Sequence, residues 1–183
     1  MTEPRIEFVF GQVNEQLGSE LNSFWIEQGK SFQDELRLFR NASSHSHALE
    51  HVDAPKKLIS RQPAAISRDQ SGAINGIVFV VLRELEVSLN LGTHTYFQRM
   101  YIIPESRNPR LANQLFRAFL QGFDRAVEQR DHRAKVLLTE NINPGLQKAS
   151  MRRYFSRLGF QMLGGNKLGG EVWCKKLETR FHF

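Results

Sequence analysis

The hydrophobic pattern along the chain changes period several times. Arg5 to Phe10 alternates in part, with Ile6, Phe8 and Phe10 as the apolar set, which predicts a short strand at or near a sheet edge. From Val13 the period lengthens: Leu17, Leu21, Phe24 and Trp25 recur at helical spacing, and Gly29 predicts the stop. Ser31 then serves as the N-cap of a second helix that buries Phe32, Leu36 and Phe39. Asn41 to Gln62 holds no sustained period and predicts a long loop with room for one short helix, placed to cover a substrate site. Ala64 to Leu82 reads as two strands around a polar turn at Asp69 to Gly72, and the unbroken apolar run from Ile77 to Leu82 implies burial on both faces. Thr95 to Pro104 gives another strand, ended by proline.

The clearest helix follows. Leu111, Leu115, Phe116, Phe119, Leu120, Phe123 and Val127 form one apolar stripe opposite Arg117, Asp124 and Arg125, and Pro109 suits the first turn because its missing N–H is harmless there. Val136 to Leu138 predicts a buried strand. Asn143-Pro144 caps a last helix running to Leu158, with Gly159 as its stop, and Phe160 to Leu163 and Glu171 to Leu177 close the chain as two strands. The order is strand, two helices, three strands, helix, strand, helix, two strands. It predicts one mixed α/β (α+β) domain over residues 1–183, with a mainly antiparallel central sheet flanked by helices.

Composition adds charge to this picture. The 183 residues carry 25 Lys and Arg against 19 Asp and Glu, a formal +6 that points to an anionic partner. Hydrophobic residues at 40% and charged residues at 24% exclude wholesale disorder, collagen and coiled coil. The one cysteine, Cys174, excludes an internal disulfide and fits a reducing compartment. Glu3, Arg5 and Glu7 break any secretory leader, and no uncharged run approaches the roughly 18 residues of a membrane span. The expectation is a cytoplasmic protein that does not enter a membrane.

Three segments carry a resemblance. The hairpin Ile66 to Leu82 turns around an acidic-polar-Gly corner. Met100-Tyr-Ile-Ile-Pro-Glu-Ser-Arg107 runs directly into the long helix. Tyr154-Phe-Ser-Arg-Leu-Gly-Phe160 ends the last one. In order and spacing these resemble the second and third strands, the Arg-x-x-Gly-x-Gly/Ala signature and the closing Tyr-x-x-Leu-Gly-Phe of the GNAT superfamily of N-acyltransferases. The resemblance covers Ala64 to Leu177 well and the early helices loosely. It implies an acyl-coenzyme A co-substrate, acetyl or longer, with pyrophosphate over Arg107, Asn108, Arg110, Leu111 and Ala112 and pantetheine beside Tyr101, Ile102 and Ile103. A strand that feeds a helix start aims unpaired backbone N–H groups at one point, where the helix dipole also favours an anion. The chain departs from the signature at Arg110, which stands where the first glycine is expected, and at Pro109, which has no N–H. Arg110 either places a guanidinium on the phosphates or blocks them.

Acyl transfer to an amine needs a neutral amine, a stabilised oxyanion and a proton for the departing thiolate. The resemblance assigns the oxyanion to backbone N–H groups from Met100 to Ile102. The family's tyrosine falls on Phe155, and this chain's tyrosine is one position earlier, so Tyr154 is either the general acid or a core residue, a rotation of about 100° apart. Glu84 is the candidate base, beside Glu86, His94 and Glu140, and Gln98 stands on the strand where the family often has an acid. His45, His47 and His51 lack a ligand spacing, and no metal is expected. Cys174, Trp25 and Trp173 read as buried packing residues. Lys148, Arg152, Arg153 and Arg157 on the last helix form a second basic group, read as a solvated face, a contact for the adenosine 3′-phosphate, or a docking site for nucleic acid. The expected activity is N-acyl transfer to a primary amine by direct attack in a ternary complex. The alternatives are a degenerate binding module for another anion or nucleic acid, and an acyl donor on a carrier protein. The acceptor and homodimer formation are left open.

Overall fold

The computed structural model describes residues 4–42, 57–85, 90–165 and 169–179. Seven strands form one sheet in the order β1-β2-β3-β4-β5-β7-β6: β1 Arg5–Phe8, β2 Lys57–Arg68, β3 Ile74–Glu84, β4 His94–Ile102, β5 Ala134–Asn141, β6 Gln161–Gly165 and β7 Glu171–Lys176. The helices are α1 Glu15–Ala42, α2 Pro109–Arg125 and α3 Ala149–Arg157. β1 runs antiparallel to β2 as an edge strand, β5 pairs antiparallel with β7, and β7 with β6. β4 and β5 form the parallel pair, from His94↔Ala134 to Gln98↔Thr139. The mixed, mainly antiparallel sheet flanked by helices is the architecture that the hydrophobic pattern predicts.

The chain forms two compact units, one of Met1–Phe32, Arg61–Val80 and Arg99–Asp131, the other of Gln33–Ser60, Val81–Gln98 and His132–Phe183. In the first, Ile77 joins Leu17, Leu21, Phe24, Ile66 and Tyr101 in a buried cluster, with Trp25, Phe32 and Ile103 against it. Phe79 meets the rings of Trp25 and Phe32 at 5.8 and 6.0 Å, so α1 covers this face of β3. α2 crosses the opposite face, where Gly76 lets Leu115 approach and Gly122 lets the Phe8 ring approach. In the second unit Leu85, Val136, Leu138 and Cys174 make a separate buried cluster.

Four expectations need correction. Gly29 does not stop α1, which continues to Ala42 as one helix instead of two. A glycine inside a helix costs only about 1 kcal/mol relative to alanine, and the aromatic residues on both sides of Gly29 pack on one surface, so burial outweighs the local signal. The first helix is capped by Asn14, whose Oδ1 accepts from the Leu17 N–H at 2.9 Å, while Ser31 is interior and its hydroxyl instead meets Tyr101. The supposed loop Asn41 to Gln62 is helix at its first two residues and strand from Lys57; the rest lies outside the described residues, as do His45, His47 and His51. Asn143-Pro144 caps a short 3-10 turn, Pro144–Gln147, and α3 starts separately at Ala149. Gly159 does end α3, with φ at +85°.

The two helical glycines separate these effects. A Cβ at Gly122 would lie 2.2 Å from the Phe8 ring, so Gly122→Ala is expected to destabilise by about 1–3 kcal/mol through overpacking. Nothing lies within 4 Å of a Cβ at Gly29, so Gly29→Ala is expected to stabilise by about 0.5–1 kcal/mol. Urea denaturation of both variants checks the pair; a loss at Gly29 would mean that the helix ends there.

Candidate functional site

The site begins where β4 ends. Pro104 cannot continue the strand's hydrogen bonds, and the backbone folds into a 3-10 turn over Pro104–Ser106 before α2 starts. The Ile103 N–H donates to the Asn75 carbonyl at 3.0 Å, and the Ser106 N–H closes back on the Ile103 carbonyl at 3.0 Å. Asn108 is the N-cap, extended at φ −152°, with Oδ1 accepting from the Leu111 N–H at 2.8 Å, and Pro109 fills the first helical position.

A buried polar line supports this turn. Ser67 Oγ donates to Asn75 Oδ1 at 2.7 Å, and Asn75 Nδ2 donates to Ser106 Oγ at 3.3 Å. Beside it opens a cleft of about 550 Å³, lined by Arg68, Asn75, Ser106, Asn108, Arg110 and Gln114 among others. Arg110 and Gln114 are one turn apart and so share the helix face toward the cleft. The opposite wall is the β2–β3 turn. Asp69 Oδ1 accepts from the Ser71 hydroxyl at 2.7 Å and from the Ser71 and Ala73 N–H groups at 2.8 and 3.1 Å. The Ser71 hydrogen bond is the largest influence holding the Asp69 carboxyl below its ordinary range, with the backbone donors adding to it. Arg68 is held by Glu7 at 3.0 Å, by Glu20 at 2.5 Å and by the Gly72 carbonyl at 2.9 Å.

The residues named from sequence fall into distinct environments. Arg107 folds back on its own strand, Nε donating to the Ile102 carbonyl at 2.8 Å, with its guanidinium 5.5 Å from the centre of the Tyr101 ring. Tyr101 is a core residue whose hydroxyl meets Ser31 Oγ at 3.0 Å and Gln28 Oε1 at 3.3 Å. Ile102 is buried and Ile103 half-buried. Met100 is half-buried, past the last β4 residue paired with β5.

The set of unpaired backbone donors expected at the start of α2 is smaller than the sequence suggested. Pro109 has none, the Leu111 N–H is occupied by Asn108 Oδ1, and the Ala112 N–H bonds to the Asn108 carbonyl at 3.1 Å. The polar groups that remain directed at the cleft are chiefly side chains. Asn75 and Gln114 were missed from sequence, although an Asn interrupting an apolar strand and a Gln one turn after Arg110 were both visible signals.

In the second unit, Glu84 ends β3 half-buried. Phe155 is buried against Trp173 and Phe160, with centroids 5.7 and 5.9 Å apart, while Tyr154 is half-buried beside it. Gln98, in the position expected of an acid, is buried and donates to Thr139 Oγ1 at 2.5 Å. Glu171 is also buried: Arg152 reaches its Oε1 through Nε at 2.7 Å and through Nη2, and Trp173 Nε1 donates to Oε2 at 3.2 Å. Burial pushes the Cys174 thiol up to about 11, against the weaker opposite pull of Lys176, so it is protonated at neutral pH and a poor nucleophile. Among the described residues no group of three or more His, Cys, Asp or Glu is placed to hold a metal ion, and no helix is long and apolar enough to cross a membrane.

No family model matches the chain, and no curated protein does. The solved structures similar to it include acetyltransferases of the GNAT superfamily. A GNAT-family acetyltransferase from Streptococcus pneumoniae is 14% identical with a TM-score of 0.47, covering 96% of this chain and 100% of its own. One from Staphylococcus aureus is 13% identical with a TM-score of 0.44, covering 96% and 100%. A GNAT superfamily phosphinothricin acetyltransferase from Sinorhizobium meliloti, solved in complex with acetyl-CoA, is 14% identical with a TM-score of 0.41; the match covers 62% of this chain and 60% of that one.

The Asp69 turn gives the cleft wall a pH signature. A carboxyl whose folded value is depressed adds stability above its unfolded value, and this is lost as the pH falls through the folded value. Wild type and Asp69→Asn should therefore differ in thermal midpoint at neutral pH and converge below the ordinary carboxylate range, as followed by circular dichroism.

Proposed function

We propose that the chain is a GNAT-type acyl-coenzyme A-dependent N-acyltransferase, a single cytoplasmic domain that moves an acetyl or longer acyl group to a primary amine. The observation that carries this reading is the cleft at the start of α2, where Arg110, Gln114, Ser106 and Asn75 converge beside a strand-to-helix turn. That donor set fits a doubly charged pyrophosphate. It supplies one guanidinium fork and several neutral donors, on the segment where the sequence resembles the coenzyme A signature.

Arg110 takes over the grip that backbone N–H groups have in the family pattern. Asn108 holds the helix end while no anion is there, and a bound phosphate competes with its Oδ1 for the Leu111 N–H. The strand segment Tyr101, Ile102 and Ile103 borders the pantetheine through its backbone, and backbone N–H groups from Met100 onward receive the oxyanion. The proton-transfer roles rest on sequence resemblance alone: Tyr154 for the departing thiolate and Glu84 for the amine. A thiolate leaves without much help, its conjugate acid having a pKa of about 8.5. The state of Cys174 supports direct attack by the amine, since the one thiol of the chain is buried and protonated.

The occupied helix end favours a second reading, a binding module of the same ancestry that has lost the coenzyme. Isothermal titration with acetyl-coenzyme A separates the two. The acyltransferase predicts micromolar binding, at least about tenfold weaker in Arg110→Ala, the loss of a charge-assisted contact. It also predicts binding no weaker in Asn108→Ala, although that variant loses about 1 kcal/mol of stability with its cap. No binding by the intact protein would remove the acyltransferase and leave the module. Mass-shift screening of pooled amines with acetyl-coenzyme A then identifies the acceptor.

A further inference from the structure

The last helix carries the most one-sided charge in the chain. From Asn141 to Gly170 the sequence has five cations, Lys148, Arg152, Arg153, Arg157 and Lys167, and no Asp or Glu. Other arginines are neutralised locally: Arg5 by Glu7, Arg37 by Asp34, and Arg68 by Glu7 and Glu20. Arg152 belongs with these, because its guanidinium is bound to buried Glu171. Lys148, Arg153 and Arg157 do not. All three are exposed, and no ion pair or side-chain hydrogen bond among the described residues engages them.

Helical geometry arranges this excess. At 100° per residue, Ser150, Arg153 and Arg157 lie on the side of α3 opposite the buried Phe155, with Ala149 and Ser156 exposed beside them. Small neighbours leave the two guanidinium groups open to a large partner. Arg153 and Arg157 are one turn apart, a rise of about 6 Å. Tyr154 flanks this crest, half-buried and fixed edge-on against Phe155 at 5.6 Å, so part of a rigid aromatic ring stands next to two unpaired forks.

From this combination, and independently of the acyltransferase reading, we propose that the crest of α3 binds single-stranded nucleic acid. Arg153 and Arg157 contact successive phosphates, and the half-buried Tyr154 ring beside them stacks on a base. Arginine suits phosphate because its fork makes two parallel hydrogen bonds, and an aromatic ring beside such a fork matches any base by its π-face. A duplex fits less well, since its bases are already stacked and α3 has only nine residues to lay in a groove. An acidic peptide would satisfy the cations but brings no flat ring to stack beside them. Binding is sequence-tolerant, because the arginines are engaged by phosphates and stacking on a ring accepts any base.

The test is fluorescence anisotropy with a labelled single-stranded RNA of about 16 nucleotides, the upper end of a compact binding site. Intact protein is expected to bind with an affinity that falls steeply with salt. Each lost phosphate contact reduces the log–log slope by about 0.7, so Arg153→Ala/Arg157→Ala should flatten it by about 1.4 and weaken binding about tenfold at physiological salt. Tyr154→Leu should weaken binding and leave the slope unchanged. Among the described residues the crest arginines hold no partner, so circular dichroism of the double variant should match wild type. Four results would overturn the proposal: no salt-dependent binding, binding unchanged in the double variant, equal binding of poly-glutamate in place of RNA, or a double variant that loses coenzyme A while keeping RNA.

Discussion

A strand that is apolar at every position cannot leave either face in water, and β3 imposes this demand from Ile77 onward. Within the first unit it is met from two directions. Ile77 and Phe79 face α1, whose Phe24, Trp25 and Phe32 pack with Tyr101 of β4 as a continuous aromatic surface. α2 lies across the other face, brought close by two positions without side chains, Gly76 under Leu115 and Gly122 under Phe8. Burying such side chains contributes about 1.5–3 kcal/mol each, which far exceeds what a single interior glycine removes. The same demand therefore accounts for the unbroken α1 and for the position of α2.

Much of this was legible in the sequence because burial leaves a periodic trace. The β2–β3 hairpin, the edge strand β1, the stripe of α2 and the stop at Gly159 follow from residue spacing and backbone freedom alone. What was not legible depended on competition between local and distant preferences. Gly29 looks like a helix stop until Trp25 and Phe32 are seen to share one surface. Asn143-Pro144 looks like the start of a long helix, but the segment makes one tight turn first, and Gln147 Nε2 then bonds the Asn141 and Gly169 carbonyls at 2.8 and 3.1 Å. The polar line from Ser67 through Asn75 to Ser106 joins residues 31 and 8 positions apart, and no spacing rule anticipates it. Among the candidate site residues, the location of Arg110 and Asn108 at a helix start could be read from sequence. That Arg107 turns back onto Tyr101, and that Tyr101 is core, could not.

The net charge of +6 resolves into two populations of cation. Arg68 and Arg152 are structural, each joined to a carboxylate from another element; Arg152 leaves α3 to reach β7, and Arg68 joins β2 to both β1 and α1. Their contribution is orientation more than net energy, because the cost of removing such partly buried charges from water offsets much of their attraction. The second, Lys148, Arg153 and Arg157, forms no ion pair or side-chain hydrogen bond among the described residues, and its members are the ones that bear on partners. Electrostatic attraction to an anion is therefore local to particular elements, and the total charge describes it poorly.

At the start of α2 two solutions to one physical problem stand side by side. A helix N-terminus leaves backbone donors that must find acceptors. In a phosphate cradle the ligand supplies them, at the cost of an unsatisfied end when the ligand is away. Here Asn108 and Pro109 remove that cost, one by accepting from Leu111 and the other by having no donor to satisfy. The backbone alone is then a weaker anion site. Arg110 stands on the next residue, where a flexible side chain can restore the attraction without reopening the helix end. An arginine at this position and a closed cap are thus not independent: each makes the other tolerable, and together they leave any attraction for an anion to the side chain more than to the main chain.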